Sequence, residues 1–196
     1  DFSYYEEPLS PTSGMQSELL LLFAEYPFYT ADDVETYLSL LQSVPDYVQG
    51  LLSYESEKSA AGLFMEKEDA KKSAQQCREI LTKEALSSGT HFLQTTFSSR
   101  LASLLQKGLL TAKQQSQYEA QNQSLLSKSV LPAWGSCSQT GWNSFPTPDA
   151  RGEDFPRSPT GGNIMPGSSR NPPVPPFPWI NSICSFKNSF RKPTKR

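Results

Sequence analysis

The chain has 196 residues, 36% of them hydrophobic and 19% charged, with a net charge of −2, a length that suits one domain or one domain with a tail. That average conceals a division: residues 1–134 carry 17 acidic and 10 basic side chains, whereas residues 135–196 carry 3 acidic and 8 basic, with 11 of the 16 prolines and 6 of the 11 glycines. The division excludes one uniform globular body, and the most compact apolar run, Leu19 to Ala24, is far short of the ~20 residues of a membrane span.

Residues 1–11 are aromatic, acidic and proline-bearing, and read as an extended entry segment. No signal peptide is visible, and a start at Asp1 is that of a processed product or a fragment. Thr12 or Ser13 can cap a first helix whose apolar face is Met15, Leu19, Leu22 and Phe23, closed by Pro27. Thr30 or Asp32 opens a second, with Asp32, Asp33 and Glu35 at its positive end and Val34, Tyr37, Leu38 and Leu41 as its stripe. Pro45 is expected to end that helix and begin a third, which buries Tyr47, Val48, Leu51 and Leu52 and stops at Gly62. A fourth, from about Glu66 to Leu86, carries Ala70, Ala74, Cys77, Leu81 and Ala85 inward and ends at Gly89. A fifth runs from about His91 to Gln106 with Phe92, Leu93, Phe97, Leu101 and Leu104 inward. Thr111 and Gln114 have capping-box spacing for a sixth, a glutamine-rich helix anchored by Tyr118, Leu125, Leu126 and Val130 and ending before Pro132. No alternating strand pattern precedes residue 134, so the expectation is an all-α fold of about six helices in an irregular bundle, followed by a Pro/Gly-rich irregular or disordered tail. The domains are then a helical body, 1–134, and a basic tail, 135–196.

Few residues offer chemistry. His91 is the one histidine, followed by Phe92, Leu93 and Gln94, so no His-Glu-x-x-His zinc helix exists; it reads as an exposed or capping residue. The carboxylates Asp32/Asp33, Glu55/Glu57 and Glu66/Glu68/Asp69 read as dipole partners and solvated faces rather than acid–base pairs. Cys77, Cys137 and Cys184 are an odd, widely spaced set without disulfide or metal-ligand pattern, and Cys77 reads as a small buried hydrophobe. No catalytic, cofactor-binding or metal residue is assigned. The mildly acidic body gives no reason to expect nucleic acid. Pro172, Pro173, Pro175, Pro176 and Pro178 could form a polyproline II ligand for an SH3-type groove.

Three stretches are familiar in combination: Pro11-Thr12-Ser13-Gly14 through Ala24-Glu25-Tyr26-Pro27-Phe28; Asp32 through Leu41 followed by Pro45-Asp46-Tyr47; and Glu57 through Met65. Val130-Leu131-Pro132-Ala133 fits the same pattern. Over about residues 8–134 the chain resembles the bacterial domain-of-unknown-function-885 family, whose members are large, mostly helical and similar to zinc metallopeptidases of the gluzincin type. The resemblance implies a parent that hydrolyses peptides with zinc, through a His-Glu pair and a second His in its C-terminal half. It implies an extracytoplasmic or lipoprotein setting for that parent. This chain has no residues matching the zinc motif, so the expectation is a helical fragment, itself inactive, whose partner is the missing remainder of its own domain. Such a piece is expected to expose apolar surface and self-associate. The reading from another class is a non-enzymatic helical interaction module with a polyproline tail.

The tail invites one more expectation. Trp134-Gly135 requires TGG GGN, an unbroken run of guanines where a one-base slip is common. In the shifted frame Trp142-Asn143 must give Glu, Met165-Pro166 Ala and Trp179-Ile180 Asp, within text that admits amphipathic helices. A frameshift at Trp134 would make the proline cluster, Cys137, Cys184 and the net +5 by-products of misreading.

Overall fold

A computed structural model describes residues 6–139. The fold is all-α, with no strand among the described residues. The tail's proline cluster and Cys184 lie outside them.

Helix α1 spans Met15–Glu25, and its N-cap is Gly14 rather than Thr12 or Ser13. The entry segment does the capping work: the Met15 N–H donates to the Pro8 carbonyl at 2.7 Å, while Ser10 and Thr12 bond each other through their hydroxyls at 3.0 Å. A Cβ at Gly14 would collide with the Ser10 carbonyl and the Gln16 side chain, so this close approach requires glycine.

Helix α2 is one element, Ala31–Ala60, not two. Pro45 removes the hydrogen bond to the Leu41 carbonyl, a cost of about 3 kcal/mol in a helix interior. Burial outweighs it. Val34, Tyr37, Leu41, Val44, Val48 and Leu51 recur at alternating three- and four-residue spacing straight through Pro45, each at most 2% exposed, and a buried large apolar side chain contributes about 1.5–3 kcal/mol. At its start Asp33 accepts from the backbone of Tyr29 (2.9 Å) and Thr30 (2.8 Å) and from the Thr30 hydroxyl (3.1 Å), the reciprocal arrangement of a capping box. At its end Leu63 N–H bonds the Lys58 carbonyl and Gly62 N–H the Ser59 carbonyl, with Gly62 at φ +73°, a left-handed residue closing the helix. The same pair of bonds closes the helices ending before Gly89 and Gly108.

The expected fourth helix is broken in two: α3, Lys67–Ile80, and α4, Lys83–Ser87. The Thr82 hydroxyl accepts from the Ala85 N–H at 3.2 Å, capping a new helix rather than continuing the old one. The break puts Leu86 in the core and leaves Ala85 half-buried. Helix α5 spans Phe92–Gln106 and α6 spans Ala112–Leu125, the latter opened by the expected Thr111–Gln114 capping box. The chain does not stop before Pro132. A π-helical turn, Leu126–Val130, leads into α7, Leu131–Gln139, so the helical body passes position 134. Tyr118, Asn122, Leu126, Val130 and Trp134 are all buried. Strict four-residue steps drift by about 40° each around an ordinary α-helix, and the wider π turn takes up that drift.

Helix α2 packs against α6, the π turn and α7; α3 packs against α7 and α1; α5 packs against α1 and α6. At the centre Phe23, Phe28, Tyr37 and Phe97 meet edge to face or tilted, with ring centroids 5.1–5.4 Å apart. Arg100 lies over the Phe28 ring at 4.5 Å and donates to the Phe23 carbonyl at 3.2 Å and to that of Tyr26, fixing the C-terminus of α1.

Candidate functional site

The residues weighed in the sequence do not come together. His91 caps α5: its Nδ1 accepts from the Leu93 N–H at 3.3 Å and its Nε2–H donates to the Ile80 carbonyl at 2.9 Å. The ring is 6% exposed, so it caps but is not exposed, and both nitrogens tie the end of α3 to the start of α5. Asp33 is a cap and Asp32 faces solvent. Glu68 pairs with Lys71 at 2.6 Å and Asp69 with Lys72 at 3.0 Å on the exposed face of α3, which is the solvated face expected there. Glu55 and Glu57 lie on different faces of α2, Glu57 outward and Glu55 inward.

Glu55 is the departure. It is 1% exposed, and its carboxylate meets no other side-chain hydrogen-bond donor. Burial pushes its acid up to about 7, against the opposing pull of Lys58 and the Leu9 backbone. Lys58, one turn on and equally buried, sends its ammonium to the Glu6 carbonyl at 3.1 Å and to Glu7 at 3.6 Å. Tyr54 donates to the same Glu6 carbonyl at 3.0 Å, and Ser73 of α3 donates to Leu9 at 3.2 Å. These polar side chains strap residues 6–10 across α2 and α3. Glu55 carries a titration near neutrality, but it is enclosed, and the groups around it bind the chain's own entry segment.

Open grooves lie among the described residues. One, of about 710 Å³, runs between α2 and α6, lined by Glu35, Gln42, Gln114, Gln117, Tyr118 and Gln121 among others. Tyr118 donates to Glu35 at 3.1 Å across it; desolvation first, then this bond and the Glu35 charge, raise the phenol above its usual range. Each glutamine amide offers both a donor and an acceptor, which is what an extended peptide backbone presents in return. The other, of about 570 Å³, lies between the entry segment and α3, lined by Glu7, Asp69, Lys72, Gln75, Gln76 and Glu79 among others. Neither was legible in the sequence: the sixth helix's glutamines have no apolar partner to reveal what they face, and the second groove is made by two segments distant in the chain.

A zinc ion fits nowhere here: among the described residues no three His, Cys, Asp or Glu side chains stand together to hold a metal, and His91 uses both ring nitrogens in the cap. No helix among them is long and apolar enough to cross a membrane.

Fold and grooves define an all-helical body with an amide-lined surface and a strapped entry segment. The family model described as "bacterial protein of unknown function (DUF885)" matches residues 2–157, and the chain belongs to that family. No curated protein and no solved structure matches the chain.

Proposed function

We propose that this chain is a helical part of a zinc-metallopeptidase-like protein of the 885 family, forming a wall of a peptide-binding cleft rather than the catalytic centre. The observation that carries the reading is the family match over residues 2–157, joined to the resemblance of its α1–α2 motifs to that family. The α2–α6 groove supports it, since Gln42, Gln114, Gln117 and Gln121 can hydrogen-bond a peptide backbone without regard to sequence. The zinc and its activating Glu belong to the parent's remainder, and no step is assigned to residues here.

The test has two parts. Metal analysis of the purified chain is expected to find well under one equivalent of zinc; one equivalent, lost on chelation with loss of structure, overturns the reading. Calorimetry with a mixture of unstructured peptides is expected to show weak binding that Gln117→Ala with Gln121→Ala removes; binding unaffected by that pair places the peptide elsewhere. For the composition switch, the reading is a frame change at Trp134, and it rests on the guanine run that Trp134-Gly135 requires. Sequencing the gene through those codons decides it, and a single open frame with no helical alternative removes the idea.

A further inference from the structure

Cys77 and Cys137 are 60 residues apart in the chain, yet α3 and α7 pack against each other and both side chains belong to the same buried core. Cys77 is 2% exposed and Cys137 is 1% exposed, and neither is in a disulfide. They sit on the facing sides of two packed helices, Cys77 near the end of α3 and Cys137 near the end of α7. A disulfide needs two sulfurs brought together from Cβ atoms a few ångströms apart, and the packing of α3 on α7 brings the two cysteines to one interface. Arg78, beside Cys77, reaches the Ser138 carbonyl at 3.4 Å, a second tie between the same two segments.

We propose that Cys77 and Cys137 are a disulfide-forming pair that staples α7 to α3 when the protein meets a small-molecule disulfide oxidant. With α7 docked, neither sulfur is open to such an oxidant, so the first exchange takes place as α7 lifts locally from α3. One cysteine thiolate attacks the oxidant's disulfide, expelling one small thiolate and leaving a mixed disulfide. On redocking, the second cysteine gives up its proton and attacks the protein sulfur of that mixed bond. The Cys77–Cys137 bond forms, the second small thiolate leaves, and the two thiolates carry away the two protons. The protein has lost two electrons and two hydrogens; one oxidant has become two thiols. Burial then protects the bond from reductant, and the closed loop restrains the unfolded chain.

The experiment uses the full chain carrying Cys184→Ser, so that only this pair of thiols remains. After incubation with oxidised glutathione, intact mass is expected to fall by two hydrogens, the denatured protein to take up no maleimide, and peptide mapping to link the peptides of Cys77 and Cys137. The thermal midpoint should rise by about 10 °C and return on reduction. A second variant, Cys137→Ala with Cys184→Ser, should show neither the mass loss nor the rise. Two free thiols after exhaustive oxidation, or protein that stops at the glutathione adduct, overturns the proposal. So does a crosslink that forms with no change in the thermal midpoint, since that bond would not be the one joining docked helices.

Discussion

Glu55 ties protonation to folding. In the unfolded chain its acid has the ordinary value of 4.5, whereas in the fold it is held at about 7. Below pH 4.5 both states are protonated and the group is neutral to stability. As pH rises from 4.5 to 7 the unfolded chain releases its proton while the folded one keeps it, so stability falls throughout that window and the loss is complete above it. The charged groups facing Glu55 are Lys58, which moderates the effect, and Glu7, which adds to it. The full loss is on the order of 3 kcal/mol. Glu55→Gln should therefore be more stable than the parent above pH 7 and equal to it near pH 4; urea midpoints across pH 4–8 check this, and a parent profile flat over the window contradicts it. Arg100 is the other residue that matters out of proportion to its sequence signal. Arg100→Lys keeps the charge but loses the planar guanidinium that lies on Phe28 and bonds the carbonyls of α1, and should cost about 2 kcal/mol in chemical denaturation. Neither residue stands out in a sequence reading: a Glu or an Arg on a helix is ordinarily a solvated charge, and only the path of a distant segment makes these two otherwise.

Helix ends were more legible than helix middles. Thr30 with Asp33, Thr111 with Gln114, and Gly62, Gly89 and Gly108 lie at element termini because capping is decided within four or five residues of chain. Pro45 and Pro132 misled because each is a local veto that a distant face overrules: α6 and α7 supply the burial that holds α2 straight through Pro45, and the π turn widens the helix ahead of Pro132. Thr82 misled in the opposite sense, since its helical spacing hid a cap. Two substitutions separate these influences. Gly62→Ala meets no atom within 4 Å, so its cost is the backbone conformation alone, about 1 kcal/mol. Pro45→Ala restores a hydrogen bond to Leu41 and should raise the thermal midpoint; a fall there would mean that α2 depends on the proline's restraint.

At the scale of the molecule, α7 binds what the amino-acid composition divides. Trp134, at the junction where the tail was expected to begin, is fully buried and donates its indole N–H to the Gln16 carbonyl at 3.2 Å. It joins the last described helix to the first. Trp134→Ala removes the largest fully buried side chain and should cost about 3–5 kcal/mol, enough to lose the cooperative melt of a domain this size; an unchanged melt would show that α7 is an appendage. The expected self-association has a modest basis among the described residues: Leu21, Tyr29, Leu63 and Leu109 are each at least half exposed. The all-helical class was readable because every segment carried helical periodicity. The grooves and the strap were not, because they are made by residues that meet only after the chain has folded back on itself.

The π turn between α6 and α7 is also a matter of length. A five-residue turn where four would close an α-helix holds one residue more than its neighbours need. Deleting the exposed Lys128 would leave buried positions at steps of four, four, three and four from Tyr118 to Trp134, a spacing an ordinary α-helix keeps on one face. The same deletion in mid-α2 would turn everything beyond it by about 100° and bury the wrong side. A chain shortened by one residue at Lys128 should thus melt cooperatively, with Trp134 fluorescence still that of a buried indole. The gene can lose a codon there and keep its core.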